Sequence, residues 1–140
     1  MPVRTASAFW DGSLKEGSGR IRLAGFDQPY TFASRFEEEA GTNPEELIGA
    51  AIAGCFSMAL AADLGGAGHA PEKVETEAKV TVRPQPEGGF AITEIALDTT
   101  ATVPGVTDAE FQTIASGTKE NCPVSRALKA VPITLSAKLV

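Results

Sequence analysis

The sequence predicts an α+β fold, and three observations lead to this prediction. Short segments of alternating polar and apolar residues come first, and a long, nearly uncharged segment with helix-start signals follows them. Alternating segments then resume, and two further helix-start signals precede one last alternating segment. Strands and helices grouped in this order are typical of antiparallel sheets packed against helices.

Length and composition favour one domain over residues 1–140. The chain has 140 residues, of which 43% are hydrophobic and 21% are charged, a composition that excludes disorder. Its net charge of −6 disfavours a nucleic acid or an anionic membrane as partner, because phosphate groups attract clustered cations. We find no apolar run of membrane-spanning length and no signal-peptide pattern, so we expect a cytoplasmic protein.

The first third of the chain is predicted to form a meander of short strands. Residues 7–10 end in an Asp-Gly turn, and residues 19–23 alternate isoleucine and leucine with arginine. A third extended segment is expected over residues 30–36, after a turn at residues 27–29.

A long helix is predicted next. Asn43 is a typical N-cap residue, and Pro44 suits the first helical position. The helix should end near Leu64, where two glycines follow. Its body carries only one charge, Asp63, and a helix that is apolar all round must be buried. One small domain cannot cover both flanks of such a helix, so we predict a dimer in which two copies pack together.

The second half of the chain predicts a hairpin, two helices and a strand. The hairpin strands cover residues 74–82 and 90–103, and the alternation slips near Thr93, which indicates a bulge. Helices are expected over residues 107–120 and, after a cysteine, to about residue 129. Residues 133–139 alternate as a final strand.

Few residue types remain for chemistry. The chain has two cysteines, Cys55 and Cys122, and one histidine, His69. This set is too small for a structural zinc site or for a catalytic triad. The candidate chemistry therefore narrows to thiols and carboxylates.

Each candidate residue also has a purely structural interpretation. Cys55, in the middle of the long helix, is either a small buried hydrophobe or a nucleophile that needs a nearby cation. Cys122 precedes Pro123 at a helix start, where it either caps the helix or gains acidity from the helix dipole. Arg35 could be a solvated surface residue, and Glu45 could merely complement the helix dipole.

Several of these segments resemble a known family. The similarity lies in Arg35-Phe36 and in three motifs, GTNPEELIGAA (41–51), CFSMAL (55–60) and NCPVS (121–125). Together with the segment GFAIT (89–93), they resemble the OsmC branch of the OsmC/Ohr peroxidases, in order and over essentially the whole chain.

The resemblance implies a fold, an activity and a set of roles. The fold would be an intertwined homodimer in which antiparallel sheets wrap around long central helices. The activity would be thiol-dependent reduction of organic hydroperoxides, and more weakly of hydrogen peroxide, without metal, haem or flavin, in oxidative or osmotic stress defence. Cys55 would be the peroxidatic cysteine and Cys122 the resolving one. Arg35 would hold the thiolate, and Glu45 would orient Arg35.

Helix geometry adds a prediction about the site. Glu45 and Cys55 are ten residues apart on one predicted helix, which corresponds to about 15 Å along its axis. We therefore expect a composite site, with both cysteines from one subunit and the Arg35–Glu45 pair from the other.

Two kinds of partner follow from the mechanism. Phe36, Phe56 and Met58 near the motifs favour an alkyl hydroperoxide as substrate. An external dithiol, for example a lipoyl-bearing protein, would reduce the Cys55–Cys122 disulfide.

Two alternative functions on the same fold are a hydrophobic-ligand-binding protein without catalysis and a redox sensor. The presence of both cysteines together with Arg35 and Glu45 argues against the first. The rate of catalytic recycling would distinguish a sensor from a peroxidase.

Overall fold

A computed structural model describes all 140 residues and contains six strands and four helices. The elements are β1 (Ser7–Asp11), β2 (Ser18–Leu23), β3 (Phe26–Tyr30), α1 (Phe32–Phe36), α2 (Pro44–Gly66), β4 (Lys73–Pro84), β5 (Phe90–Thr102), α3 (Asp108–Asn121), α4 (Pro123–Ala127) and β6 (Ile133–Leu139). The α+β class is therefore confirmed. The chain forms two compact units, Met1–Leu47 and Ile48–Val140, and one domain over the whole chain stays a prediction.

The N-terminal unit contains the predicted meander, with the antiparallel strand order β1-β2-β3. The rings of Trp10 and Tyr30 lie 5.1 Å apart on this sheet. Gly19 lies between them, and a β-carbon there would come within 2.6 Å of the Tyr30 ring. Only glycine therefore allows the two rings to approach across β2.

The predicted extended segment over residues 30–36 is wrong, because its second half is the short helix α1. Thr31 and Ser34 form a reciprocal capping box that starts this helix. The predicted turn at residues 27–29 lies instead within β3, and Gly25, with φ of +71°, makes the turn before it. β3 lies at the edge of its sheet, so it accepts Pro29 without losing a hydrogen bond that the sheet needs.

The long helix begins as predicted and ends two residues later than expected. Asn43 Oδ1 accepts a hydrogen bond of 2.8 Å from the Glu46 amide, and Pro44 is the first helical residue. At the other end, Gly68 has a φ of +89°, and the amide of His69 donates to the Leu64 carbonyl at 2.8 Å. Gly68, rather than Gly65 or Gly66, therefore provides the left-handed residue that ends the helix.

One face of α2 forms the core of the second unit. Ile52, Phe56, Leu60 and Leu64 follow one another at intervals of four residues and are fully buried. Met58, on another face, is 78% exposed. By length and composition α2 would also suit a membrane span, so the expectation that no segment does is wrong. Such a helix also occurs in the cores of soluble proteins, and this one leaves an apolar face uncovered within the chain.

The second sheet has the order β4-β5-β6. The β4–β5 hairpin is antiparallel, and its register shifts where Val82 pairs with Ile92, so Thr93 is the bulged residue as predicted. The expectation of purely antiparallel sheets is wrong, because β6 runs parallel to β5. The helices α3 and α4 connect these two strands, and a helical crossover returns the chain in the same direction.

The C-terminal helices follow the prediction closely. Thr107 caps α3 by accepting a hydrogen bond from the Glu110 amide. Cys122 is both the last cap of α3 and the N-cap of α4. α4 ends at Ala127, shorter than expected, because Leu128 leaves the helical conformation.

Candidate active site

The N-terminal unit brings Arg35 and Glu45 together. The Arg35 Nη2 atom lies 2.8 Å from Glu45 Oε1, and its Nε atom lies 3.2 Å from both carboxylate oxygens. The Glu45 side chain is only 7% exposed, whereas that of Arg35 is 36% exposed. A buried carboxylate needs such a partner, and the forked contact fixes the orientation of the guanidinium plane.

Backbone contacts around α1 hold this pair in place. The Ser34 hydroxyl donates to the Thr42 carbonyl at 2.9 Å, and the Asn43 amide group donates to the Ser34 carbonyl at 3.0 Å. These bonds fold the loop between α1 and α2 back on itself, so residues ten apart in sequence meet. Arg35 also lies over the Phe36 ring, 5.0 Å from its centroid, which further limits its rotamers.

The second unit brings Cys55 and Cys122 together. Cys55 lies in the middle of α2 and is partly buried, and Cys122 is 2% exposed at the junction of α3 and α4. Both are free thiols, and each side chain influences the pKa of the other. Residues that are 67 positions apart in sequence are thus juxtaposed by the packing of α2 against the C-terminal helices.

The surroundings of Cys122 make its thiol more acidic. Burial opposes ionisation, but hydrogen bonds from Ser125 and from Cys55 outweigh it, so the pKa of Cys122 lies below its ordinary value. The Ser125 amide lies 3.4 Å from the Cys122 sulfur, and the Ser125 hydroxyl lies 3.1 Å from it. Cys122 therefore caps the helix, and the hydrogen bonds from Ser125 also favour ionisation of its thiol.

The surroundings of Cys55 have the opposite effect. Burial and the neighbouring Cys122 raise the pKa of Cys55. The one group that lowers it is the backbone amide of Val124. No cation acts on Cys55 from within Ile48–Val140. A nucleophilic role for Cys55 would therefore require a positive charge that this unit does not supply.

Sequence reasoning missed a chain of hydrogen-bonded hydroxyl groups near Cys55. The Ser57 hydroxyl donates to Thr76 Oγ1 at 2.8 Å, and Thr76 and Thr99 are hydrogen-bonded at 2.7 Å. Thr99, fully buried, donates in turn to the Glu75 carbonyl. These bonds anchor α2 to the sheet two residues beyond the thiol. The available signal was Thr76, which shares the inward-facing positions of β4 with valine and alanine.

A second missed contact joins α2 to α3. The Thr118 hydroxyl donates to Asp63, the single charge in the body of α2, at 2.5 Å. Thr118 is buried, and its carbonyl accepts the amide of Cys122. The isolated acid in an apolar helix was the signal for this contact.

Comparison with known proteins identifies relatives along the whole chain. A family model described as "OsmC-like protein" matches residues 37–136. The chain is 47% identical to "Peroxiredoxin OsmC" of Escherichia coli (strain K12) over 139 residues, 97% of this chain and 96% of that protein. It is 34% identical to "Organic hydroperoxide resistance protein" of Xanthomonas axonopodis pv. citri (strain 306) over 98 residues, 69% of this chain and 66% of that protein.

The fold is also found in a solved structure. The crystal structure of an OsmC-like protein from Mycoplasma pneumoniae superposes with a TM-score of 0.76, covering 99% of this chain and 98% of the other at 17% identity. At that identity the likeness concerns the fold alone. The family match and the near full-length identity lead to one conclusion: this chain belongs to the OsmC-like family.

Proposed function

We propose that this protein is a thiol peroxidase that reduces organic hydroperoxides to alcohols. The observation that carries the proposal is that the free thiols of Cys55 and Cys122 are close enough to influence each other's pKa. Two neighbouring thiols can be oxidised together to a disulfide, a step that releases two electrons. The names of the two relatives, a peroxiredoxin and a hydroperoxide resistance protein, support the same chemistry.

The proposed reaction balances over two steps. The Cys55 thiolate attacks the distal oxygen of the hydroperoxide, and the oxygen–oxygen bond breaks. The leaving alkoxide takes up a proton, equivalent to the one that the Cys55 thiol lost on ionising, and departs as the alcohol. Cys55 is then a sulfenic acid. The Cys122 thiolate attacks the Cys55 sulfur, and water leaves as the disulfide forms. The lowered pKa of Cys122 fits this second step, because it increases the thiolate fraction of the attacking group.

The first step needs a cation beside Cys55, and we propose that Arg35 of a second subunit provides it. Glu45 and Cys55 are separated by ten residues of a helix that runs unbroken from Pro44 to Gly66, or about 15 Å of axial rise. An arginine held by Glu45 is thus far along the axis from the cysteine of its own helix. Two chains in a homodimer, each contributing one pair, would complete the site.

The uncovered face of α2 supports the dimer. Apart from Glu46 and Asp63, the exposed positions of this helix are apolar or small, and Met58 is the largest of the apolar ones. Burial of this face against a second copy would remove apolar surface from water. It would also explain why so apolar a helix occurs in a chain that we propose to be cytoplasmic.

The proposal also includes a class of substrate and a class of reductant. The substrate is an organic hydroperoxide, with hydrogen peroxide the poorer one. Phe56 cannot line the substrate pocket as the sequence indicated, because it is fully buried in the core. A dithiol, for example one carried on a lipoyl-bearing protein, returns two electrons to the disulfide, and the site uses no metal or bound cofactor.

Mass spectrometry tests these roles. Reduced protein is treated with one equivalent of cumene hydroperoxide beside the variants Cys55→Ser and Cys122→Ser. We expect a Cys55–Cys122 disulfide in the wild type, an oxyacid on Cys55 in Cys122→Ser, and no reaction in Cys55→Ser. Unchanged thiols in the presence of remaining peroxide would reject the peroxidase and favour a ligand-binding protein. A disulfide that forms once but is not recycled by dithiols would favour a sensor.

A further inference from the structure

Charge is unevenly distributed along this acidic chain. The last 30 residues carry four cations and one anion, whereas the whole chain has a net charge of −6. Three of these cations, Lys119, Arg126 and Lys129, line one cleft of about 1160 Å³. We call it the basic cleft; the end of α3, α4 and the segment leading into β6 form its walls.

Two of the three cations have no ion-pair partner. Lys119 lies 3.1 Å from Glu120, which also lines the basic cleft. Arg126 and Lys129 are exposed, and no carboxylate lies within 4.0 Å of either. Two cations without ion-pair partners in a concave surface attract anionic groups, and this attraction is strongest at low ionic strength.

The basic cleft adjoins the thiol pair. Ser125 lines the cleft, and its hydroxyl lies 3.1 Å from the Cys122 sulfur. Asn121 and Pro123, on either side of Cys122 in the sequence, also line the cleft. Ser125 therefore belongs both to the lining of the cleft and to the immediate surroundings of the buried sulfur.

We propose that the basic cleft is the docking surface for the reductant, an acidic protein that carries a dithiol. This inference rests on the proposed peroxidase function, because only a recycled disulfide needs a reductant. The mainly polar and charged lining does not suit the hydrocarbon part of a hydroperoxide, which favours an apolar pocket. Opposite charges steer two proteins together and orient them, and a carrier with acidic groups around its dithiol would meet the cleft next to Cys122.

The docked reaction is an ordinary thiol–disulfide exchange. One carrier thiolate attacks the Cys122 sulfur, the Cys55–Cys122 bond breaks, and Cys55 leaves as a thiolate that takes up a proton. The second carrier thiol attacks the mixed disulfide and releases Cys122. The carrier is oxidised to its disulfide, and the two electrons and two protons end on Cys55 and Cys122.

Reduction kinetics with charged dithiol peptides test the docking surface. The probes are three peptides of equal length with one Cys-Gly-Pro-Cys segment flanked by glutamates, serines or lysines, and dithiothreitol is the uncharged reference. Protein oxidised with diamide is the starting material, so the test does not depend on peroxide turnover. The variant is Arg126→Gln/Lys129→Gln, and Lys79→Gln/Lys138→Gln removes two exposed cations outside the cleft as a matched control.

We expect the glutamate peptide to reduce the wild type fastest, with a rate constant that falls as salt increases. At low ionic strength, the rate constant for reduction of the cleft variant by the glutamate peptide should be about tenfold lower than that of the wild type. The rate constant of the control variant, and the rate constants with dithiothreitol, should stay unchanged. Equal rates for all three peptides, or equal rates for variant and control, would overturn the proposal.

Two other occupants of the cleft give distinct results. If the cleft binds the carboxylate of a substrate, the variant raises KM for a fatty-acid hydroperoxide and leaves peptide reduction unchanged. If a second copy of this chain covers it, the variant changes the oligomeric state in size-exclusion chromatography. Either result would overturn the docking proposal. Failure of the proposed function is separate, because it appears as absence of a peroxide-induced disulfide.

Discussion

The Arg35–Glu45 pair and the Cys55–Cys122 pair are stabilised in opposite ways. In the N-terminal unit a buried carboxylate and a guanidinium satisfy each other through a forked contact. In the second unit two thiols compete for ionisation, and the pKa of Cys55 is raised while that of Cys122 is lowered. The first pair therefore holds an oriented cation, whereas no cation acts on Cys55 in the second pair. In the proposed mechanism, the cation of the first pair stabilises the Cys55 thiolate of the second.

Removal of the nucleophile should have the largest effect. We expect Cys55→Ser to lower kcat/KM for cumene hydroperoxide by about 10³-fold or more, because the remaining groups cannot replace a nucleophile. Peroxide consumption with dithiothreitol as reductant measures it. Cys122→Ser is the matched variant, since it removes the other thiol but should still react stoichiometrically. Comparable loss of the first oxidation step in both variants would contradict the division of roles.

Removal of the cation should have the next largest effect. Arg35→Gln should lower kcat/KM by about 10²-fold, because a charge that stabilises the reacting thiolate is lost. Glu45→Gln should cost less, about tenfold, since Arg35 keeps its charge and loses only its orientation. Arg22→Gln, an exposed arginine of the same unit, is the control. Full activity of Arg35→Gln would show that the Arg35–Glu45 pair takes no part in the reaction at Cys55.

Disruption of the exposed face of α2 should lower activity through the dimer. Met58→Glu places a charge on this apolar face, and we expect it to shift the protein toward monomers and to reduce activity in proportion. Light scattering and peroxide consumption are measured on the same samples. Ser116→Glu, on an exposed position of α3, is the matched control. A Met58→Glu protein that is monomeric and fully active would contradict a composite site.

The pKa values of the two thiols, measured with and without Arg35, test how the two pairs interact. A thiol with a lowered pKa becomes a thiolate at lower pH, so in the Arg35→Gln background Cys122 should ionise before Cys55 as pH rises. Ultraviolet thiolate absorbance is followed in single-cysteine variants with and without Arg35→Gln. Restoring Arg35 should lower the pKa of Cys55 and leave that of Cys122 nearly unchanged. An unchanged Cys55 titration would remove Arg35 from the mechanism.

The hydroxyl chain should have the smallest effect. Thr76→Val removes the link between Ser57 and Thr99 and should lower the free energy of unfolding by about 1 kcal/mol. Urea denaturation measures the change, with Thr134→Val on an exposed position of β6 as control. Equal stability of the two variants would show that the chain does not anchor α2.

Local signals in the sequence predicted most elements but not their pairing. The Asn43 cap and the Thr93 bulge follow from residues within a few positions of each other, so they could be read directly. α1 could not, because the Thr31–Ser34 capping box competes with an extended pattern of similar appearance. The parallel β6 depends on the crossover through α3 and α4, which no local pattern encodes.

The sequence likewise indicated some features of the candidate site and not others. The four residues came from a resemblance of motifs, and the structure brings them together as two pairs, one in each unit. Ser125 was not singled out, because its contact with the Cys122 sulfur depends on the geometry of a five-residue helix. The opposite pKa shifts of the two cysteines depend on burial and on long-range packing, which a sequence pattern does not report.

Subunit complementation tests the composite site most directly. Cys55→Ser and Arg35→Gln, each nearly inactive alone, are unfolded, mixed in equal amounts and refolded. If each site takes its cysteine from one chain and its arginine from the other, half of the dimers have one intact site, and about a quarter of the wild-type activity returns. If both pairs come from the same chain, no mixed dimer has an intact site. Activity that stays at the level of the separate variants, in a mixture with demonstrated heterodimers, would contradict the account.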